Sequence, residues 1–231
     1  KNAIDRGASG FQDTFKVDLK AGNNLLLVKV SERGGGWSMF VGLQTDFKAA
    51  GKNYAATEEP GDKITGPWLW MVAPSPTCGA AGTDIDWLAD ASKKKVTEEM
   101  VAKKGVTKKD KVDKLTWTEG EIQPTGGDNI NTLINQIKLG AGDVNNTMSY
   151  AYINVVSPED RSTRMFVGSD DSVKVWLNGE VVWKNAVNRG AGDIQDEFPV
   201  KLKKGGNPLL VKVGECGGGW SMFVGFSKEG Q

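Results

Sequence analysis

Residues Met165–Asn185 read MFVGSDDSVKVWLNGEVVWKN, the stretch with the strongest structural signal in the chain. Two runs rich in β-branched and aromatic residues flank Asn178–Gly179, a pair that favours a two-residue hairpin turn. Such a turn predicts the cross-strand pairs Leu177–Glu180, Trp176–Val181, Val175–Val182 and Lys174–Trp183. One face of the hairpin is then apolar and faces a core, with Val173, Val175, Leu177 and Val182. The opposite face carries Lys174, Trp176, Val181 and Trp183.

The segments around this hairpin predict a protein built mainly of short strands. Apolar or alternating runs indicate further strands at Leu69–Ala73, Met148–Val156, Arg164–Val167, Phe198–Leu202, Leu209–Val213 and Trp220–Phe226. Two helices are predicted after the first strand. Thr97 can cap Glu98–Lys104, with Gly105 as its stop, and Asn129–Lys138 carries one apolar face. Short strands with a helical insertion indicate a mostly β fold, a β-sandwich.

An internal repeat divides the sequence. Lys1–Leu43 matches Lys184–Phe226 without a gap at 29 of 43 positions. We therefore expect residues 1–43 to be the C-terminal strands of a preceding or exchanged copy, 44–66 to be a linker and 67–231 to be a complete sandwich. The chain would begin in mid-domain, with 183 residues as the period of a tandem array. The apolar side chains of Lys1–Leu43 cannot be buried by two or three isolated strands, so this segment must pack against a partner in its own chain or in another.

The composition excludes several functions. The 231 residues include 29 basic and 29 acidic side chains, so the net charge of zero argues against nucleic-acid binding. The chain has no histidine, which excludes Ser-His-Asp and Cys-His catalysis and imidazole metal sites. No apolar run approaches the ~20 residues of a membrane span. Nothing in the sequence singles out a carboxylate pair for glycoside hydrolysis. We predict that the protein is not an enzyme.

From Met165 onward the sequence resembles the galactose-binding-like and PA14-like jelly-roll modules of secreted bacterial proteins. The resemblance rests on the order of the motifs: SDD, a strand, the NG turn, a second strand, LKKGGNPLLVKV and a GGGW strand. It covers Met165–Phe226 and, through the repeat, Lys1–Leu43. It implies a jelly-roll sandwich, an extracellular or cell-surface location and a non-catalytic module that is often carbohydrate-binding or adhesive. Family membership alone does not establish sugar binding.

The hairpin face that carries Lys174, Trp176 and Trp183 is the candidate sugar platform, because flat aromatic surfaces suit the C–H faces of pyranose rings. The alternative is that the helical insertion or a neighbouring domain covers these tryptophans. Trp37 and Trp220 each follow a GGG run at the start of a strand, and they are predicted to be core residues.

Asp170 and Asp171 are the candidate metal ligands, because adjacent carboxylates in a loop can supply oxygen ligands to Ca²⁺. A similar pair holds calcium in PA14-like lectins, so the resemblance implies that any calcium ion here sits at this pair and is structural. We expect no other cofactor. The alternative is that both carboxylates accept backbone N–H groups and shape the loop.

Cys78 and Cys216 are the two cysteines of the chain. Their spacing fits neither a zinc ribbon nor a redox C-x-x-C motif. They either form one disulfide or remain separate as two small buried residues.

Two function classes follow. The first is a structural or adhesive repeat that assembles with other copies of itself into an extracellular fibre or surface stalk. The alternative is a carbohydrate-binding module that occurs in tandem and has glycans as partners. The environment of Trp176 and Trp183 is expected to distinguish them, since burial between domains favours the first and an open groove favours the second.

Overall fold

The structure is a computed structural model that describes residues 13–18, 28–30 and 59–228. The chain divides into two units, Lys1–Ala56 and Thr57–Gln231. No helix or strand is assigned among residues 13–18 and 28–30. The rest of Lys1–Leu43, including Trp37, lies outside the described residues, and so does most of the predicted linker. The prediction that this segment repeats the C-terminal strands therefore stays a prediction.

Apolar runs bounded by glycine and polar turns form twelve strands in residues 59–228, as the mostly β prediction requires. The strands are β1 (Pro60–Lys63), β2 (Trp68–Pro74), β3 (Lys111–Val112), β4 (Leu115–Thr116), β5 (Thr118–Gly120), β6 (Thr147–Ser157), β7 (Arg161–Asp170), β8 (Val173–Leu177), β9 (Glu180–Asn185), β10 (Asp196–Leu202), β11 (Gly205–Glu215) and β12 (Ser221–Ser227). The helices are a short 3-10 helix (Gly79–Gly82), α1 (Trp87–Ala91), α2 (Glu98–Lys104) and α3 (Asn129–Gln136).

Two antiparallel sheets make the sandwich. One has four strands in the order β1-β12-β7-β10, and the other has six in the order β5-β2-β6-β11-β8-β9. Strands β3 and β4 form a small third sheet. The order interleaves early and late strands. The end of β7 and the end of β11 lie in different sheets and meet through the hydrogen bond from the Asp171 N–H to the Gly214 carbonyl. The β-sandwich predicted from the sequence is confirmed.

The six-stranded sheet is covered on both faces. Its inner face packs against the four-stranded sheet and α3 in a core that includes Trp68, Trp70 and Trp220. Its outer face packs beneath α1 and α2 in a second core that includes Trp176 and Leu210. Helices α1 and α2 are therefore the third layer of the domain, whereas α3 packs with the core between the sheets. Trp220 is buried as predicted.

Local signals explain where the helices begin and end. The Thr97 side chain accepts a hydrogen bond from the Met100 N–H at 3.1 Å, and Gly105 ends α2 with a φ of 73°. Both predictions for this helix are confirmed. Helix α3 ends at Gln136, slightly earlier than predicted. Its Ile130 N–H donates to the Trp220 carbonyl at 3.0 Å, which docks the helix on β12. No helix in the described part of the chain is long and apolar enough to cross a membrane.

Candidate functional site

The hairpin of β8 and β9 differs from its predicted register. Leu177 pairs with Glu180 and Trp176 with Val181, as predicted, but a bulge follows and Val175 pairs with Trp183. The pairs Val175–Val182 and Lys174–Trp183 are therefore wrong. An extra residue on one strand moves every later side chain to the opposite face.

The predicted sugar platform is not formed, because Trp176 and Trp183 lie on opposite faces of the sheet. Trp183 turns towards the core and stacks on Phe198, with ring centroids 5.0 Å apart. Trp176 is 3% exposed beneath the helical insertion, and the Lys174 ammonium lies 4.9 Å from the centre of its ring. The alternative that the helical insertion covers the outer tryptophan is the arrangement found, for Trp176 alone.

Asp170 and Asp171 lie at the end of β7, where the chain passes to β8. The Asp171 N–H donates to the Gly214 carbonyl at 2.9 Å, which places both aspartates beside the end of β11. Asp171 accepts backbone hydrogen bonds from Arg189 at 3.2 Å and Cys216 at 3.0 Å. Asp170 accepts one from Ala191 at 3.1 Å. These bonds are the loop-shaping contacts that the alternative to a metal site describes.

A third carboxylate, Glu215, completes a cluster that the sequence did not reveal. One carboxylate oxygen from each of Asp170, Asp171 and Glu215 can be chosen so that all three lie within 4.8 Å of one another. Glu215 is the last residue of β11, and topology alone brings it to Asp170. A sequence signal existed, because Glu32 and Glu215 are identical in the two copies, but the segment GEC reads as a turn.

Glu215 is fully buried, and neither of its carboxylate oxygens has a hydrogen-bond partner among the described residues. Burial and the charges of neighbouring carboxylates, Asp171 and Asp170 foremost, raise the pKa of Glu215 to about 8. Burial and Asp171 raise the pKa of Asp170 to about 6. Burying an ionised carboxylate without a hydrogen-bond donor is costly, which is why Glu215 holds its proton more tightly.

The donor set fits a hard divalent cation. Three carboxylate oxygens within 4.8 Å of one another suit a shared Ca²⁺ ion, whose oxygen ligands lie about 2.3–2.6 Å from the ion. The described residues offer this cluster no cysteine or histidine, which softer metals prefer. The unpartnered carboxylate of Glu215 is the observation that distinguishes this cluster from a purely loop-shaping pair.

Gly219 lies against Asp170, the most exposed carboxylate of the cluster. A Cβ at Gly219 would lie 2.9 Å from Oδ2 of Asp170, and the Gly127 carbonyl lies on the same side. Gly126 and Gly218 are exposed, and a Cβ on either would meet nothing within 4 Å. Because Gly219 has no Cβ, its backbone can lie directly against the Asp170 carboxylate.

Cys78 and Cys216 form a disulfide. Of the two alternatives that the sequence left open, the bonded one is found. Cys216 directly follows Glu215, so the cross-link lies next to the carboxylate cluster.

A second polar network is buried beneath the helical insertion, and the sequence did not predict it. The Lys212 ammonium, 1% exposed, donates to Glu98 Oε1 at 2.7 Å and to the Ile85 carbonyl at 2.6 Å. The Tyr150 hydroxyl donates to the same Glu98 oxygen at 2.7 Å. Burial lowers the pKa of Lys212 and raises the pKa of Glu98. Because its donors and acceptors are satisfied, this network anchors α2 to the sheet and offers no free group to a ligand.

The fold and the site together define a β-sandwich domain with a carboxylate cluster at one end of the sandwich. No protein-family model matches the chain, and no curated protein matches it. Among solved structures, it is similar to the PA14 domain of the MpAFP antifreeze protein, with 11% identity and a TM-score of 0.39, covering 73% of this chain and 82% of that one.

It is also similar to the PA14 sugar-binding domain from an RTX adhesin, with 11% identity and a TM-score of 0.38, covering 68% of this chain and 86% of that one. A β-glucosidase from Kluyveromyces marxianus shows 22% identity and a TM-score of 0.30, covering 35% of this chain. The chain spans only 10% of that enzyme's length. PA14 domains are thus among the structural neighbours. Likeness at this level assigns neither ligand nor activity.

Proposed function

We propose that this chain is a non-catalytic adhesive module that binds carbohydrate through a calcium ion held by Asp170, Asp171 and Glu215. The observation that carries the proposal is the buried Glu215 carboxylate, which has no hydrogen-bond partner among the described residues and lies beside two further carboxylates. A divalent cation would replace the proton that Glu215 otherwise holds and would compensate the ionised carboxylate. Glu215 and Asp171 would hold the ion from the interior, and Asp170 would hold it from the more exposed side.

A calcium ion at this site would have coordination positions free for carbohydrate, on a side that a sugar could reach. Ca²⁺ takes 6–8 oxygen ligands, and three carboxylates leave positions that water or the hydroxyl groups of a sugar can fill. Asp170 is the most exposed of the three carboxylates, so a sugar would approach from its side, where Gly219 carries no side chain. This arrangement replaces the tryptophan platform as the proposed sugar contact.

Two observations support a binding role outside the cell rather than catalysis. The carboxylate oxygens of the cluster converge within 4.8 Å, which suits one shared ion better than the ~5–9.5 Å separation of glycosidase carboxylates. The disulfide between Cys78 and Cys216 supports an oxidising location, such as the extracellular space or the cell surface.

Calorimetry and glycan binding test the proposal. Chelator-treated full-length protein is titrated with Ca²⁺, and a glycan array is probed with and without chelator. We expect one calcium site and glycan binding that requires it, with both lost in Asp170→Asn. Asp90→Asn, an exposed substitution on α1, is the matched control. Glycan binding that persists in chelator or in Asp170→Asn would contradict the proposal.

We also propose self-assembly through repeated units, and the specific observation that favours it is the match of Lys1–Leu43 to Lys184–Phe226. Within the described unit, β10, β11 and β12 pair with β6, β7 and β8 of their own chain. The C-terminal strands of this unit already pair within their own chain, so assembly would use the first copy, Lys1–Leu43. Sedimentation of the full chain should show species that grow with concentration. A monomer at every concentration would rule assembly out.

A further inference from the structure

The disulfide joins the two chain segments on which the carboxylate cluster is built. On one side, Cys216 follows the ligand Glu215, and its backbone N–H donates to Oδ2 of Asp171 at 3.0 Å. On the other side, Cys78 precedes the 3-10 helix Gly79–Gly82. A Cβ at Gly79 would lie 3.3 Å from the same Asp171 oxygen. Cys216 therefore hydrogen-bonds Asp171 directly, and the residue after Cys78 packs beside the same carboxylate.

The segment after Cys78 also supports the loop that covers the cluster. The Ala80 N–H donates to the Asn188 side-chain oxygen at 2.7 Å. The residues that follow Asn188 supply backbone donors to the cluster, Arg189 to Asp171 and Ala191 to Asp170. A continuous set of contacts thus runs from the disulfide through this loop to the carboxylates.

We propose that the Cys78–Cys216 disulfide controls cation binding at Asp170, Asp171 and Glu215, so that the oxidised protein binds calcium tightly and the reduced protein binds it weakly. This inference rests on the proposed function for the existence of the calcium site. The physical reason is charge repulsion. Three carboxylates held together repel one another, and the disulfide opposes their separation by fixing the end of β11 against the Cys78 segment.

The chemical step is a two-electron reduction. A dithiol reductant transfers two electrons and two protons to the disulfide, which becomes two thiols while the reductant closes into its own disulfide. Both cysteines are half-buried, so a small dithiol can reach them. In the first copy, Glu32 matches Glu215 but Arg33 stands at the position of Cys216. The first copy thus retains the glutamate but not the cysteine beside it.

Linkage makes the effect reciprocal. If the oxidised protein binds calcium tenfold more tightly, calcium must favour the oxidised form by the same factor. For a two-electron couple, a tenfold change corresponds to about 30 mV in reduction potential. Calcium should therefore make the disulfide harder to reduce by at least this amount.

The experiment measures calcium affinity by calorimetry in oxidised full-length protein, in dithiothreitol-reduced protein and in the Cys78→Ser/Cys216→Ser variant. We expect the calcium affinity to fall at least tenfold both in the reduced protein and in the Cys78→Ser/Cys216→Ser variant. Intact mass verifies the redox state of each sample. A redox titration of wild-type protein with and without calcium supplies the second readout, which does not depend on the folding of the double variant. Glu215→Gln is the matched control, and its reduction potential should not respond to calcium.

The outcomes separate the two proposals. Equal calcium affinity in oxidised and reduced protein, with a potential that calcium does not change, overturns the redox inference and leaves the proposed function intact. No calcium binding by the oxidised protein overturns the proposed function, and the redox inference fails with it. A calcium-dependent potential that persists in Glu215→Gln also overturns the inference, because the effect would then arise elsewhere.

Discussion

Without divalent cations, the protein should become less stable as the pH rises from about 5 to about 8, and Glu215 should cause most of the loss. The pKa of Glu215 is about 8, whereas its ordinary value is 4.5. Between these values the folded protein keeps a proton that the unfolded chain has released. The free energy of unfolding therefore falls as the pH rises through this window.

The size of the loss follows from the two pKa values. Each pH unit in the window corresponds to ~1.4 kcal/mol, so the interval from 4.5 to about 8 gives a loss of ~5 kcal/mol above pH 8. Asp170, with a pKa raised from 3.8 to about 6, acts in the same direction at lower pH. A loss of this size is a large fraction of the stability of an ordinary domain.

Urea unfolding at several pH values in the presence of chelator measures the effect. Glu215→Gln should flatten the profile, because a glutamine side chain does not titrate, while the exposed Glu180→Gln should leave it unchanged. Saturating calcium should remove the loss, since the ion binds the ionised carboxylates and stabilises the folded state. A flat profile for wild-type protein in chelator, or an unchanged slope in Glu215→Gln, would refute the reasoning.

Three further predictions concern the cores and the site. Lys212→Met should destabilise the protein by ~3–5 kcal/mol in urea unfolding, because it removes the closer of the two cations beside the buried Glu98 carboxylate and leaves only Lys174 at 3.8 Å. Adding Glu98→Gln should recover part of this loss, and no recovery would argue against a charge effect. Trp220→Ala should cost ~3–5 kcal/mol by the same measurement, since the side chain is fully buried, and a cost below ~1 kcal/mol would contradict its core role. Gly168→Ala should weaken calcium binding in calorimetry, because the new Cβ overlaps the Gly192 carbonyl and displaces the loop that bonds Asp170. Gly190→Ala, where the Cβ meets nothing within 4 Å, should bind normally.

The sequence predicted the strands and helices of the fold better than it predicted which residues pack against them. Periodicity and turn chemistry are local, so the strands, the helix capped by Thr97 and the first two hairpin pairs were predictable. The bulge after Trp176 was not, because it accompanies the stacking of Trp183 on Phe198, a residue of the opposite sheet. Which face of a strand lies under the insertion depends on tertiary packing. The sequence pattern alone therefore could not decide whether Trp176 is exposed or covered.

The candidate site shows the same division. Asp170 and Asp171 are adjacent in sequence, and their pairing suggested a cation. Glu215 and Asp170 come together only because β7 and β11 terminate at the same end of the sandwich, which is a property of the topology. Lys212 likewise reads as the solvent-facing lysine of an alternating strand, and the insertion above it makes it a buried partner of Glu98.

The position of the disulfide also sets how the domain responds to mechanical force. The two cysteines are 138 residues apart, so the cross-link encloses most of the unit between Glu59 and Lys228. A pull on those two residues can extend only the short segments before Cys78 and after Cys216, which include β1, β2 and β12. The enclosed chain would otherwise lengthen by roughly 450–500 Å at about 3.3–3.6 Å per residue. Under tension, the oxidised domain acts as a short tether, and a reductant converts it into a long one.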